Sequence, residues 1–270
     1  MSDRSLALGV IGGGIMGEAI LSRLFVRNIY APDRVKVADP NPQRREYLTQ
    51  EYGVAVTAEN AEVTREAEVL LLAVKPQIFD RVAPDLALLP ASSLVISILA
   101  GTPLSRLQAA CGDRAVVRVM PNTPATVGAG ISALAPGSQV SPTQLETAKQ
   151  ILAAVGSVVE VSEPLLDAVT GLSGSGPAFA AAFIEALSDG GVAAGLPRAI
   201  ASQLAIETVL GAATLLKEKQ MHPAQLKDSV TSPGGTTIAG MVALEKGGLR
   251  SAAIEAVKAA AARSRELGQG

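Results

Sequence analysis

The chain has 270 residues and a formal net charge of −2, and 48% of its residues are hydrophobic. This length is enough for one large domain or two ordinary ones, each with a sizeable core. Four Phe, three Tyr and no Trp argue against a basic, aromatic-lined groove for nucleic acid. The single cysteine, Cys111, excludes an internal disulfide and a thiolate metal cluster. We therefore expect no nucleic-acid partner and no bound metal.

The sequence also predicts no membrane partner. Apolar runs such as 69–74 and 178–184 are far shorter than the ~20 residues that a helix needs to cross a bilayer. The first residues, MSDRSLALGVIGGG, reach their glycines before an apolar signal core could form. We therefore expect a cytoplasmic protein.

A glycine-rich motif follows the first predicted strand and leads into a helical pattern. Gly12, Gly14 and Gly17 fit the G-x-G-x-x-G spacing, which gives a tight turn, an open backbone for a pyrophosphate and close helix–strand packing. The next predicted strand ends in Asp39, where a carboxylate can accept hydrogen bonds from an adenosine ribose. Each feature alone would also suit an ordinary turn, but their order along the chain favours a dinucleotide site.

Strand-like and helical runs alternate as far as residue 161. This alternation predicts an α/β domain with a doubly wound, parallel sheet that binds ligands beyond the C-terminal ends of its strands. Those ends carry the loops AVKPQ, ILAGT and MPNTPATVGAG. Lys75 and Asn122 would each suit a plain loop, but their shared location favours a site. We expect this domain to span 1–162, and the strands after the first to be 35–38, 54–56, 68–74, 94–99, 115–120, 131–135 and 157–161.

The second half, 163–270, loses the strand pattern and is predicted to be helical. The Ser-Gly pairs of SGSGPAF are expected to break one helix before Pro177 starts the next. The segment 198–219 is apolar on more than one side, which indicates burial on more than one side. The helical half, 163–270, is too short to cover this segment on several sides. We therefore expect a second copy of the chain to cover it in a homodimer.

The residues available for catalysis exclude several dehydrogenase mechanisms. No Y-x-x-x-K pair is present, and the only histidine, His222, precedes a proline and suits a helix start better than a general base. The hydroxyl-rich turn at 229–237 could be a helix cap or an anion pocket. Hydroxyl donors without a strong acid suit the reduction of a C=N group that solvent has already protonated.

Five motifs, in order, resemble those of the Δ1-pyrroline-5-carboxylate reductases. The resemblance spans essentially the whole chain and implies hydride transfer from NADPH or NADH to the cyclic imine, the last step of proline biosynthesis. It also implies a Rossmann-type sheet, a C-terminal all-α dimerisation and substrate domain at 163–270, and a homodimer, in some members a decamer of five dimers. The motifs are GGGIMGEAI, LAVKPQ, VMPNTPATVGAG, AVTGLSGSGPAF and LKDSVTSPGGTTIAGMVALEKGG.

The resemblance also implies which residues form the site. Thr237 and Ser232 would be the catalytic residues, with Thr237 hydrogen-bonding near the ring nitrogen. The positions implied to bind the imino acid substrate are Glu163, Ser229, Ser232, Thr236 and Thr237. The positions implied to bind the cofactor are Gly12, Gly14, Ile15, Met16, Gly17, Asp39, Asn60, Ala73, Val74, Lys75, Pro76, Ile98, Leu99, Ala100 and Asn122.

Two departures from the family pattern leave questions open. Phe179 stands where many members carry Tyr, so a hydroxyl there is not essential. Asp39 would repel the 2′-phosphate of NADPH, whereas Arg44 and Arg45 could attract it, so the choice between NADH and NADPH stays open. The alternative functions are a related imine or keto-acid reductase and a protein that senses NAD(P)H without turnover.

Overall fold

The structure is a computed structural model and describes residues 6–268. The chain forms two compact units. The first contains the residues up to Ser175 together with those from Ala259 on, and the second is Gly176–Lys258. The domain border that the sequence predicts at residue 162 therefore lies inside the first of these units.

The first unit is built on one eight-stranded sheet with the order β3-β2-β1-β4-β5-β6-β7-β8. Six of its strands, β1 to β6, have the order 3-2-1-4-5-6 of a doubly wound dinucleotide-binding sheet. The sheet thus has the predicted architecture. The strands are β1 (Leu6–Ile11), β2 (Val35–Ala38), β3 (Ala55–Thr57), β4 (Ala67–Leu72), β5 (Leu94–Ser97), β6 (Ala115–Met120), β7 (Gly130–Pro136) and β8 (Gly156–Glu160).

Two strands, β7 and β8, depart from the predicted parallel arrangement and run opposite to the other six. β7 pairs antiparallel with β6, whereas every other neighbouring pair in the sheet is parallel. The two strands are joined only by a 3₁₀ turn at Thr123–Val127 and a few loop residues. A parallel connection requires a crossover of a dozen or more residues, so this short link forces the chain to reverse.

Seven helices cover the sheet, and inner strands such as β4, β5 and β6 bury both of their faces. Along β4, Leu71 packs into one apolar cluster and Leu70 and Leu72 into another, because successive side chains of a strand point to opposite faces. Phe79 and Leu107 belong to the second cluster. The helices are α1 (Ile15–Val26), α2 (Pro42–Tyr52), α3 (Asn60–Thr64), α4 (Phe79–Leu86), α5 (Leu104–Cys111), α6 (Pro142–Ala153) and α7 (Leu166–Val169).

The SGSGP motif does not break the chain out of helical geometry. Residues Thr170–Gly174 form a turn of π-helix between α7 and the next helix. The wide turn is closed by Ser175 N, which donates to Thr170 O at 2.9 Å. The α-helical pattern is thus interrupted between α7 and the helix that begins at Gly176, as predicted, but the interruption is a turn of π-helix with an i→i+5 hydrogen bond and not a loop.

The second unit consists of helices with almost no core of its own. α9 packs against α8 through Ala201 and Ala205, which are buried, and Ser188 Oγ lies 2.9 Å from Ser202 Oγ. Large apolar side chains on α9, among them Ile206, remain about half exposed. The helices are α8 (Gly176–Ala193), α9 (Arg198–Lys219), α10 (Pro223–Ser229), α11 (Thr236–Lys246) and α12 (Leu249–Gly268), the last of which ends in the first unit.

Helix α9 also has the length and composition of a membrane-spanning helix. Its 22 residues include an 18-residue window with a mean hydropathy of 1.5, of which only 11% is buried. The sequence marks the same segment, 198–219, as apolar on more than one side, but its length and hydropathy as a possible membrane span went unrecognised. A helix at a protein–protein interface has the same character, so the finding establishes only that the apolar sides of α9 need a covering surface.

Candidate active site

The glycine-rich turn is built by three glycines with different roles. Gly12 has a φ of +99°, and a Cβ there would lie 2.6 Å from Ala73 O. A Cβ on Gly17 would lie 2.4 Å from Gly12 O, whereas one on Gly14 would meet no atom within 4 Å. Packing thus requires Gly12 and Gly17, and Gly14 leaves open space.

That open space lies at the start of a helix. Gly14 is the N-cap of α1, and no side chain caps the first backbone N–H groups of the helix. Uncapped N–H groups at a helix start attract anions, and a glycine there lets a phosphate approach closely. The chain therefore fits the pyrophosphate of a dinucleotide at this turn.

Asp39 is bound to the same turn. Its carboxylate accepts hydrogen bonds from Gly13 N and Asn41 N, both at 2.9 Å. Arg45 Nη1 donates to Asp39 O at 2.7 Å. Asp39 thus fixes the loop after β2 to the glycine-rich turn, and each carboxylate oxygen keeps a lone pair that a ribose hydroxyl could use.

A cleft of about 260 Å³ lies at the C-terminal edge of the sheet. Six of the positions implied to bind the cofactor line it together: Met16, Ala73, Val74, Ile98, Ala100 and Asn122. They come from α1 and from the loops after β4, β5 and β6, which a doubly wound sheet brings to one edge. The sequence-derived residues therefore converge at the cleft where the fold predicts a ligand.

Asn122 has a fixed orientation at this cleft. Its Oδ1 accepts a hydrogen bond from Ile131 N at 2.9 Å. Because the side-chain oxygen is engaged, the amide NH₂ is the group left to donate to a ligand.

Other predicted cofactor positions do not line this cleft. The Leu99 side chain is buried in the sheet core, so only its backbone could meet a ligand. Asn60 begins α3, a helix that the sequence did not predict, and its Nδ2 donates to Asp85 Oδ2 at 3.1 Å. Lys75 precedes a 3₁₀ turn that begins at Pro76.

The structure adds residues that the sequence reasoning missed. Gly174, at the end of the π-helical turn, lines the cleft together with Met120. A second cavity of about 720 Å³ in the first unit is lined by Ala100, by Thr170 of the same turn and by Arg263 of α12. The π-helical turn and the docking of the end of α12 depend on tertiary packing, so the sequence carried no signal for them.

Glu163 makes its contacts inside the first unit. Its Oε1 accepts from Leu104 N at 2.6 Å and from Arg118 Nη1 at 3.0 Å. Arg118 is buried on β6, so this ion pair neutralises a buried charge and satisfies the start of α5. The structure thus gives Glu163 a structural role besides the substrate contact that the resemblance implies.

The hydroxyl-rich turn in the second unit divides into two groups. The hydroxyls of Ser229 and Thr231 donate to carbonyl oxygens of α10, at 2.8 and 2.6 Å. The side chains of Ser232, Thr236 and Thr237 make no hydrogen bond to any other residue in the described range 6–268. Three hydroxyls of this turn therefore remain available to a ligand.

The start of α11 lies in the same turn and is also open. Its N-cap is Gly235, and no side chain caps the first N–H groups. The stretch therefore caps the following helix, as one of the two expectations had it, but it does so through Gly235 and not through a hydroxyl side chain. Uncapped N–H groups beside hydroxyls form an environment that suits a carboxylate.

The described residues contain little other nucleophilic or acid–base chemistry. Cys111 is buried, and burial raises the pKa of its thiol to about 11, so the thiolate is scarce at neutral pH. His222 accepts a hydrogen bond from Ala224 N at 3.2 Å and caps α10, as expected for a helix-start residue. Within 6–268, no group of three or more His, Cys, Asp or Glu side chains is placed to hold a metal.

Comparison with known proteins places these features in one family. The model of pyrroline-5-carboxylate reductase dimerisation matches residues 163–267, and the model of coenzyme F420-dependent NADP oxidoreductases matches residues 7–101. The pyrroline-5-carboxylate reductase of Synechocystis sp. is 60% identical over 98% of this chain and 99% of that relative. This chain belongs to the pyrroline-5-carboxylate reductase family.

Further relatives and solved structures agree with this membership. The pyrroline-5-carboxylate reductase of Arabidopsis thaliana is 44% identical over 98% of this chain and 96% of its own. The structure of the Coxiella burnetii reductase has a TM-score of 0.91 at 36% identity, covering 98% of this chain and 99% of that one. The Plasmodium falciparum reductase, solved with NADP bound, has a TM-score of 0.87 at 31% identity over 97% and 98% of the two chains. The family resemblance, the Rossmann-type sheet and the helical C-terminal region are confirmed.

The roles of the glycines can be separated with Gly14→Ala and Gly17→Ala. Gly14 has ordinary backbone angles and open space, so we expect Gly14→Ala to keep the melting temperature and to weaken NADH and NADPH binding about tenfold. Gly17→Ala should lower the free energy of unfolding by about 2 kcal/mol, because its Cβ would meet a backbone oxygen. Calorimetric titration and thermal unfolding measure both. Equal effects of the two substitutions on binding and on stability would contradict this division.

Glu163→Ala should lower the free energy of unfolding by about 3 kcal/mol, because it leaves the buried Arg118 without its carboxylate. Denaturant unfolding measures this loss. The matched control is Glu160→Ala, which removes a carboxylate from a half-exposed pair with Lys149 and should cost less than about 0.5 kcal/mol. A Glu163→Ala protein with unchanged stability and a raised KM for the substrate would assign Glu163 to substrate binding instead.

Proposed function

We propose that the protein is a Δ1-pyrroline-5-carboxylate reductase that transfers a hydride from NADPH or NADH to the cyclic imine and forms L-proline. The observation that carries this proposal is the convergence of six implied cofactor positions on one cleft at the sheet edge. The chain that carries them is 60% identical to a pyrroline-5-carboxylate reductase over 98% of its length. In this proposal the sheet unit provides the cofactor-binding residues, and the hydroxyl-rich turn provides substrate-binding residues.

The first unit would hold the cofactor. When bound, the reduced nicotinamide supplies the hydride. The turn from Gly12 to Gly17 would bind the pyrophosphate with its backbone N–H groups, and Asp39 would accept from the adenosine ribose. The loops that end in Ala73–Val74 and Ile98–Ala100 would line the nicotinamide side.

The second unit would hold the substrate. Ser232 and Thr236, with the open N–H groups of α11, would bind the carboxylate of the imino acid, and Thr237 would donate a hydrogen bond near the ring nitrogen. An iminium already carries its proton, so the chain needs no strong acid and has only to position the ring and exclude water. Ser229 belongs to the implied substrate positions but already donates to a carbonyl of α10, so its contribution would be to fix the turn.

The experiment that tests the proposal follows NADPH and NADH oxidation with pyrroline-5-carboxylate and with a six-membered cyclic imino acid. We expect turnover of the five-membered ring and at least about tenfold lower kcat/KM for the larger ring. Turnover of the larger ring alone, or of a keto acid, would identify a related imine or keto-acid reductase. Cofactor binding without any turnover would identify a sensor protein.

Thr237→Val should lower kcat/KM at least about tenfold, because it removes the hydrogen bond proposed near the ring nitrogen while keeping the shape of the side chain. Steady-state kinetics with pyrroline-5-carboxylate measure the loss. Thr147→Val is the matched control, since Thr147 lies on α6 and its hydroxyl donates to Thr143 O. Unchanged kcat and KM in Thr237→Val would remove Thr237 from the mechanism.

We propose that the helical unit pairs with a second copy of the chain, so that the family's homodimer covers the exposed apolar sides of α9. We further propose that five such dimers can assemble into a closed decamer. The buried, unpaired Cys111 suits a reducing compartment, and we place the protein in the cytoplasm.

Sedimentation at micromolar concentration should show a dimer or a decamer, and no monomer. Leu210 on α9 is more than half exposed in the single chain, so Leu210→Glu should shift the protein toward monomer by placing a charge in the proposed interface. Leu88→Glu, on an exposed position of the sheet unit, is the matched control and should leave the assembly intact. A monomeric wild-type protein would rule out the interface.

A further inference from the structure

A cluster of four polar side chains lies beside the glycine-rich turn and is not used by the proposed reaction. Glu18, on the first turn of α1, forms an ion pair with Arg44 of α2. Its other carboxylate oxygen accepts hydrogen bonds from the hydroxyls of Tyr47 and Tyr52, both at 2.9 Å. Less than a quarter of the Glu18 and Arg44 side chains is exposed to solvent. The cluster therefore joins α1 and α2 through one carboxylate with three donors.

The cluster keeps Glu18 ionised. Burial alone would raise the pKa of its carboxyl, but the hydrogen bonds from Arg44, Tyr52 and Tyr47 outweigh this effect and lower the pKa. Burial and the neighbouring carboxylate raise the pKa of Tyr52, so its hydroxyl stays a donor. At neutral pH the pair is a carboxylate facing a guanidinium.

Arg44 is fixed from two further sides. Its Nε donates to Gly13 O in the middle of the glycine-rich turn, and its guanidinium stacks on the Tyr47 ring at 4.9 Å from the centroid. Its backbone is held as well, because Arg44 N and Gln43 N donate hydrogen bonds to the Asn41 side chain that caps α2. A cation is therefore held at the turn, next to the loop that carries Asp39.

This cation lies close to where the adenosine ribose of a bound dinucleotide is expected. A dinucleotide that follows the turn from Gly12 to Gly17 has its adenosine ribose at the end of β2, near Asp39. NADPH differs from NADH there by one phosphate on the 2′-oxygen, and an arginine is the side chain best suited to bind it. Arg44 is such an arginine, but it already has a carboxylate partner.

We propose that Glu18 is a specificity-determining residue that competes with the 2′-phosphate of NADPH for Arg44 and thereby favours NADH. This inference rests on the proposed use of a nicotinamide dinucleotide. A 2′-phosphate can gain the full charge-assisted bond to Arg44 only if the pair with Glu18 is weakened, and NADH has no such requirement. Asp39 adds repulsion at the same ribose, and Arg45 is engaged with the carbonyls of Asp39 and Pro40.

The test measures NAD⁺ and NADP⁺ binding by calorimetric titration for the wild type, Glu18→Gln, Arg44→Gln and the double variant. Glu18→Gln should tighten NADP⁺ binding about tenfold and change NAD⁺ binding less than about twofold. The gain should disappear in the double variant, because the released arginine is then absent. Glu18→Ala serves as a second variant, since alanine suits a helix, and thermal unfolding reports on folding in each case.

The matched control is Glu46→Gln, which removes the same charge from α2. Glu46 is exposed and accepts only from the Gln50 side chain at 3.2 Å among the contacts described for it, so this variant should leave the ratio of the two affinities unchanged. An unchanged ratio in Glu18→Gln and Glu18→Ala, with NAD⁺ still bound, would overturn the inference. So would a gain that persists in the double variant, because it would reflect net charge alone. A wild-type protein that binds neither dinucleotide would instead refute the proposed function, and the inference with it.

Discussion

The close approach of backbone to backbone at the first turn is the constraint on which the cofactor half of this protein depends. A methyl group on Gly12 or Gly17 would lie within 2.6 Å of a backbone oxygen, so β1, the loop after β4 and the start of α1 can meet only through glycine. This contact brings Met16 to the cleft that Ala73 and Val74 line. It also leaves the backbone N–H groups of α1 open, and it places Gly13 between Asp39 and Arg44.

Much of the sheet could be predicted from the sequence because its strands are continuous apolar runs and its turn has a distinctive glycine spacing. The direction of β7 could not, since it depends on the length of a 3₁₀ link that reads as a loop. Helix α3 has five residues and carries too little periodicity to be recognised. The interruption at Thr170–Gly174 could be predicted, but its π-helical form could not, because Ser-Gly pairs are a signal for turns in general.

The candidate site, too, could be predicted only in part from the sequence. Motifs identified the loops that converge at the cleft, because the C-terminal ends of parallel strands share one edge. They did not reveal that Arg118 binds the Glu163 carboxylate, or that the Ser229 hydroxyl donates to its own helix. A carboxylate or a hydroxyl can bind a substrate or a neighbouring residue equally well, and only the folded contacts show which of the two it does. The motifs thus name residues that converge at one cleft, but they do not separate binding residues from structural ones.

The scarcity of buried side chains in the second unit has a consequence for how the protein survives in a cell. Of the residues described there, only Ser188, Ala201 and Ala205 are buried in the single chain. If a second copy supplies the missing core, folding and association are one equilibrium, and the melting temperature rises with protein concentration. A substitution on the exposed side of α9 would then act mainly on abundance, because newly made chains that fail to find a partner are removed by proteolysis.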